Sequence, residues 1–337
     1  MRHLLASLSL LAGLATSEAQ AQTTLEKVRQ RGVLSCGTSQ GLTGFSLPDA
    51  KGVWKGFDID WCRAVAAAIF DDPMRVRLVP LSSKDRFTAL QSGEIDMLAR
   101  TTTWTLGRDA PLGLAFTAVN FYDGQGFLVR KSAGIKSPKE LNGASICTIQ
   151  GTTSELNLAD YSRINDIKFE LITFQNQEDT ETAFNTGRCD AYSTDVSGLS
   201  VSRLKYEKPD DLAILPEIIS KEPDAGAVRK GDGQWFDIVR WTLFAMLNAE
   251  ELEVTQANVT QQLASNKPDV RRLLGVEGTF GEMLGLSKDW AVRIVKHVGN
   301  YGESFERNIG SGSPLKLDRG LNRLWNKGGI QFAPPVR

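Results

Sequence analysis

Gly56-Phe57-Asp58-Ile59-Asp60-Trp61-Cys62-Arg63-Ala64-Val65 is the stretch that decides how the chain folds. A glycine turn leads into alternating carboxylates and apolar residues, then into a small-residue helix from Ala64 to Phe70. Upstream, Leu25 to Arg31 reads as a short helix ending at Gly32, and Val33 to Gly37 as a buried strand. A loop rich in Gly, Ser and Pro, Ser39 to Gly52, separates that strand from the motif. Downstream, Val76 to Pro80 reads as a second strand. Lys84 to Ser92 is a helix with Phe87 and Leu90 on one face, closed by Gly93, and Ile95 to Ala99 is a third strand. This β-α-β-α-β rhythm predicts a mostly parallel sheet covered by helices.

The rhythm restarts after Phe127-Leu128-Val129. Strands are expected at Ser145 to Ile149, Phe169 to Thr173 and Asp190 to Ser193, with helices from Ser154 and over Glu178 to Asn185. Two such units in tandem, in a chain longer than one core comfortably serves, predict two α/β lobes. The expected boundaries are 22–121 with 227–337 for the first lobe and 127–221 for the second. Residues 122–126 and 222–226 would be the hinges, and the first lobe would carry a C-terminal extension. A helix over Trp235 to Ala249 returns to the first lobe.

Arg2 and His3, the apolar run Leu4 to Ala15 and Ala19-Gln20-Ala21 read as a signal peptide cleaved after Ala21. The expected compartment is the periplasm. A net charge of −1, with no basic stripe, argues against nucleic acid as a partner. Cys36, Cys62, Cys147 and Cys189 lack metal-ligand spacing, so no metal is expected. In an exported chain they suggest disulfides. Cys36–Cys62 with Cys147–Cys189 is one of three connectivities, and buried free thiols are the alternative. No cofactor is implied.

The chemistry-bearing residues fall where strands end. Arg100-Thr101-Thr102-Thr103-Trp104-Thr105-Leu106-Gly107-Arg108 follows the third strand, at the end that faces the ligand crevice in open α/β sheets. Arg108 offers a fork for a carboxylate, and the threonines add further donors; a polar loop with a surface arginine is the alternative. Gln150-Gly151-Thr152-Thr153-Ser154-Glu155 opens a helix whose free N–H groups attract an anion. The same residues also read as an ordinary cap, Thr152 or Thr153 with Glu155. Asp195, ending the strand from Asp190, should face the crevice and complement an ammonium, while Asp190 reads as structural.

With these segments in this order, the chain resembles the periplasmic solute-binding proteins of ABC-type amino-acid importers, in their general L-amino-acid and glutamate/glutamine branch. The likeness is carried by Gly56 to Asp60, Arg86 to Asp96, Thr103 to Arg108 and Gln150 to Thr153. Tyr122 to Gly126, Cys189 to Asp195 and Trp325 to Gly329 extend it. The resemblance implies a two-lobed, type II periplasmic binding fold with two hinge strands. It also implies a free L-amino acid as ligand, an inner-membrane ABC permease as partner and a monomer.

By the same resemblance Arg108 clamps the α-carboxylate with the N–H groups of Thr103 and Thr153. Asp195, the Thr103 hydroxyl and the Thr101 carbonyl take the ammonium. Arg86 falls where binders of acidic amino acids place an arginine near the ligand side chain, a helix-surface ion pair being the alternative. Phe45 is the candidate aromatic packed on the ligand, a core position the alternative. Asp224 would either alter the pocket or face solvent.

Catalysis has little to build on. His297 reads as a surface or packing residue, and Gly275, Gly278 and Gly281 follow no strand. Asp58 and Asp60 read as a helix N-cap and a structural partner rather than an acid/base pair. The chain is therefore expected to be no enzyme. The alternatives are an exported cyclohexadienyl-dehydratase-like enzyme on the same fold and a ligand sensor.

Overall fold

The computed structural model describes residues 22–337, and the leader expected over 1–21 lies outside the described residues. The first elements are α1 (Thr24–Arg31), β1 (Leu34–Ser39), the hairpin strands β2 (Leu47–Pro48) and β3 (Trp54–Lys55), and α2 (Phe57–Phe70). Then come β4 (Val76–Leu81), α3 (Arg86–Ser92), β5 (Met97–Leu98), α4 (Leu106–Asp109) and the long β6 (Leu114–Asp123). Past Gly124 the chain enters a second sheet through β7 (Gln125–Arg130), β8 (Ser145–Ile149), α5 (Thr153–Ile164) and β9 (Glu170–Phe174). It continues through α6 (Gln177–Asn185), β10 (Ala191–Asp195), α7 (Val196–Lys205) and β11 (Leu212–Ile214). β12 (Glu222–Arg229) returns to the first sheet. It is followed by α8 (Gly233–Glu251), α9 (Val259–Gln262), α10 (Pro268–Leu273), α11 (Phe280–Met283), α12 (Trp290–Val298) and α13 (Tyr301–Asn308).

The strand orders are β4-β1-β5-β12-β6 and β11-β7-β10-β8-β9. In each sheet the βαβ strands are parallel and one strand runs against them, β12 in the first and β7 in the second, each paired antiparallel on both sides. The sheets are therefore mixed, because each lobe is completed by strands that cross from or to the other. Residues 222–226, expected as a hinge, form the start of β12 and pair with β6 from Asp123 back to Val119. The strand expected over Ile95 to Ala99 is reduced to Met97–Leu98.

The opening motif sits at the centre of the first lobe. Every residue of α2 except Arg63 and Phe70 is buried. The helix lies between the sheet and the C-terminal helices α8, α12 and α13, so it is apolar all round rather than striped. Its first N–H groups are met by loop carbonyls: Phe57 N–H donates to Gly44 O and Asp58 N–H to Phe45 O, at 2.9 and 3.1 Å. No side chain caps it, which corrects the expectation of an aspartate N-cap. Asp60 instead accepts from Ser304, Arg307 and Asn308 of α13. Both disulfides are formed, Cys36–Cys62 and Cys147–Cys189, with Cα atoms 6.1 and 5.7 Å apart, one within each lobe.

Gly56 has φ +139°, and a Cβ there would lie 2.1 Å from the Phe45 carbonyl oxygen. Gly56→Ala is therefore expected to cost about 3–5 kcal/mol, combining a backbone outlier with an overpacked contact. A urea melt checks this, and a loss under about 1 kcal/mol would show that the loop yields freely.

Candidate functional site

Between the two sheets lies a cavity of about 510 Å³. Arg86, Arg100, Thr101 and Thr103 line it from the first lobe, and Thr152, Thr153 and Asp195 from the second. The lobes touch beside it: a Cβ on Gly151 of the second would meet the Lys84 backbone of the first at 3.6 Å.

Each wall residue is held by its local fold. Thr101 has φ +36°, an uncommon left-handed conformation, and its N–H donates to Asp58 Oδ2 at 3.1 Å. Asn120 donates to the other Asp58 oxygen at 3.0 Å. Asp58 of the opening motif thus braces the bend that points Thr101 at the cavity. Beyond it, the chain lies against β12: Ala225 N–H donates to Thr102 O and Trp104 N–H to Pro223 O, at 3.0 and 2.9 Å. Across the cavity, Thr152 is the N-cap of α5 and accepts from Glu155 N–H, leaving Thr153 as the first helical residue. Asp195 ends β10, caps nothing with its side chain, and has no partner for Oδ1.

Arg86 is only 2% exposed, so it is no surface ion pair. Its Nη1 donates to Thr102 Oγ1 at 3.1 Å, and Nε has no partner. Arg108 is not on the cavity wall; its Nη1 donates to Thr103 O at 2.9 Å. The Arg86 and Arg108 guanidiniums lie over the Phe87 ring, 4.8 and 5.4 Å from its centroid. Asp224 is buried, not solvent-facing, and both its carboxylate oxygens lack partners.

Among the described residues, neither Arg86, Arg100 nor Arg108 forms a salt bridge, and neither does Asp195 or Asp224. Burial pushes Asp195 and Asp224 well above the carboxylate range, with Asp123 and Glu222 adding to the first and Asp195, Asp123, Asp58 and Glu222 to the second. Burial pulls Arg86 well down, with Arg100 and Arg108 adding to it, and brings Arg100 to about 10. Buried arginines and carboxyls thus stand here without salt-bridge partners, a costly arrangement unless a bound molecule supplies them.

Phe45 is corrected. It is 1% exposed and packs edge-on against Phe121 at 5.4 Å and Phe57 at 6.4 Å. The turn at Gly44 and the close approach of Gly56 to its carbonyl hold it in the core. Leu42 and Leu47 of the same loop reach the cavity instead. Sequence reading also missed Arg100 and Glu222. Arg100 stood in the quoted threonine segment, but nothing local marked its side chain as facing inward. His297 bonds Asp71 at 2.8 Å, away from the cavity wall.

A family model described as bacterial extracellular solute-binding proteins, family 3, matches residues 34–261. The general L-amino acid-binding periplasmic protein of Rhizobium johnstonii is 57% identical over 323 residues, 95% of each chain. The glutamate/glutamine/aspartate/asparagine-binding protein of Rhodobacter capsulatus is 51% identical over 97% of each. The solved structure of a Brucella ovis ABC-transporter periplasmic binding protein, with glutathione bound, superposes with TM-score 0.92 at 56% identity. That match covers 94% of this chain and 100% of the other.

Proposed function

The chain belongs to the bacterial extracellular solute-binding proteins of family 3, and from that premise we propose that it captures a polar L-amino acid by lobe closure. It then delivers the ligand to an inner-membrane ABC permease. The supporting observation is that Arg86 and Arg100 from the first lobe and Asp195 from the second face one cavity without salt-bridge partners among the described residues, Arg108 and Asp224 standing off its wall. A zwitterion supplies both missing charges. Arg108 clamps the α-carboxylate with the N–H groups of Thr103 and Thr153. Asp195, the Thr103 hydroxyl and the Thr101 carbonyl take the ammonium. The first lobe, 22–121 with 227–337, and the second, 127–221, close about hinges near 122–126 and 222–226, so the ligand binds the closed form best. The protein works as a monomer in the periplasm, its leader removed after Ala21, and turns nothing over.

Arg86 lines the cavity with unused donors and takes the ligand's side chain, which favours glutamate, glutamine, aspartate or asparagine. Arg86→Ala is expected to weaken glutamate about 10–100-fold in calorimetry while leaving alanine within about threefold. Equal losses for both would remove Arg86 from side-chain recognition. The whole assignment is tested by thermal shift against the common L-amino acids, because a ligand that binds only the folded form raises its melting point. Glutathione, bound in the Brucella ovis relative, belongs in the panel, since its γ-glutamyl end carries a free α-amino acid. No shift with any of them, or conversion of the ligand to product, would overturn the proposal.

A further inference from the structure

Glu222 stands behind the cavity and is 1% exposed. Its Oε2 accepts from the Thr103 hydroxyl at 2.6 Å and from the Thr153 hydroxyl at 2.8 Å. Its Oε1 accepts from Asn157 Nδ2 at 2.7 Å and Ser220 Oγ at 2.5 Å. One carboxylate therefore ties a first-lobe hydroxyl to a second-lobe hydroxyl. The two hydroxyl oxygens are themselves 3.2 Å apart.

A hydroxyl has one proton to donate, and a carboxylate only accepts. Thr103 and Thr153 each direct their proton to Glu222, so each oxygen turns only lone pairs toward the cavity. Such a pair attracts a donor and repels a carboxylate. We propose that Glu222 is a positioning residue that sets the proton direction of the Thr103 and Thr153 hydroxyls, so that they accept from the ligand's α-ammonium and fix which end of the zwitterion faces them. The inference rests on the amino-acid assignment above. It also explains why the α-carboxylate goes to N–H and guanidinium donors: the nearby hydroxyls have no proton left to offer.

The surroundings dictate what Glu222→Gln does. Asn157 Nδ2 also donates to Gln125 Oε1 at 3.0 Å. Gln125 in turn donates to Ser154 O and Ser193 Oγ at 3.1 and 2.9 Å. Asn157 is thus held as a donor, and the new amide must keep its oxygen there. Its NH2 group then faces the two threonines, which turn their protons toward the cavity.

The test is calorimetry with L-glutamate and its α-hydroxy counterpart, (S)-2-hydroxyglutarate, whose hydroxyl can donate or accept. E222Q is expected to weaken L-glutamate about 10–100-fold and the hydroxy acid by less than about threefold. E222D, still an acceptor, should weaken both probes by a similar factor and keep the wild-type preference. Thr103→Val, which removes one acceptor, should lower the glutamate preference and decides the matter if E222Q does not fold. Equal weakening of both probes by E222Q or by T103V overturns the positioning role. Failure of the unaltered protein to bind either probe overturns the amino-acid assignment itself.

Discussion

Arg108→Ala is expected to weaken amino-acid binding by about 2–5 kcal/mol, roughly 30- to 4,000-fold, the usual cost of stranding one partner of a buried charge pair. Arg108 donates to Thr103 O and rests on the Phe87 ring. Among the described residues it has no salt-bridging carboxylate, and most of its five donors are uncommitted. Alanine would leave the ligand α-carboxylate the N–H groups of Thr103 and Thr153 without the guanidinium fork. Arg108→Lys, which keeps the charge but not the fork, should recover only part of the loss. The fold should tolerate either change, because α4 is a single exposed turn with no buried residue. Binding within about threefold of wild type would mean that Arg86 or Arg100 holds the carboxylate instead.

Asp195→Asn should cost a similar 2–5 kcal/mol of binding, because it removes the carboxylate opposite the ammonium while keeping its shape. Its effect on the ligand-free fold should be opposite in sign. Burial, then Asp123 and Glu222, hold the Asp195 carboxyl well above its ordinary range. Asp123 and Asp58 are likewise pushed up by burial, each to about 6. The folded chain thus holds these protons more tightly than the unfolded chain, so between about pH 4 and 6 it binds more of them. That contribution is full below the ordinary carboxylate value and is lost as pH rises through the raised one. The ligand-free protein should therefore melt higher at pH 5 than at pH 7, with the gap narrowed in D195N.

Ligand binding runs the other way. An ammonium favours ionised Asp195, so capture should release a proton and weaken as pH falls. Calorimetry in buffers of different ionisation enthalpy measures that release, and D195N should reduce it. A variant that binds normally, or a proton release unchanged by it, would remove Asp195 from the ammonium site.

Several elements were legible because their signals are contiguous. The left-handed glycines at 32 and 93 stop α1 and α3 where expected, and Thr152 begins α5 with Glu155 in place. Alternating strand and helix patterns placed β8 at Ser145–Ile149. The threonine segment and Asp195 were legible as crevice residues because a strand's end has a fixed place in such a sheet. Phe45 misled because an aromatic in a loop looks the same whether the loop turns out or in. The turn at Gly44 and the packing of the Phe45 ring against Phe57 and Phe121 decided it.

The sequence alone determined the lobes' α/β architecture, the family and some of the residues that face the crevice, among them Thr101, Thr103, Thr153 and Asp195, since these follow from local periodicity, caps and ordered motifs. Only the tertiary structure decided how those residues are braced and charged. Asp58 supports Thr101 across 43 residues, and Glu222 reaches Thr103 across 119. It also chose one pairing of the four cysteines over the others. The physical reason is the same in each case: burial and hydrogen-bond partnership depend on which distant segments the sheets bring together, and no local pattern records that.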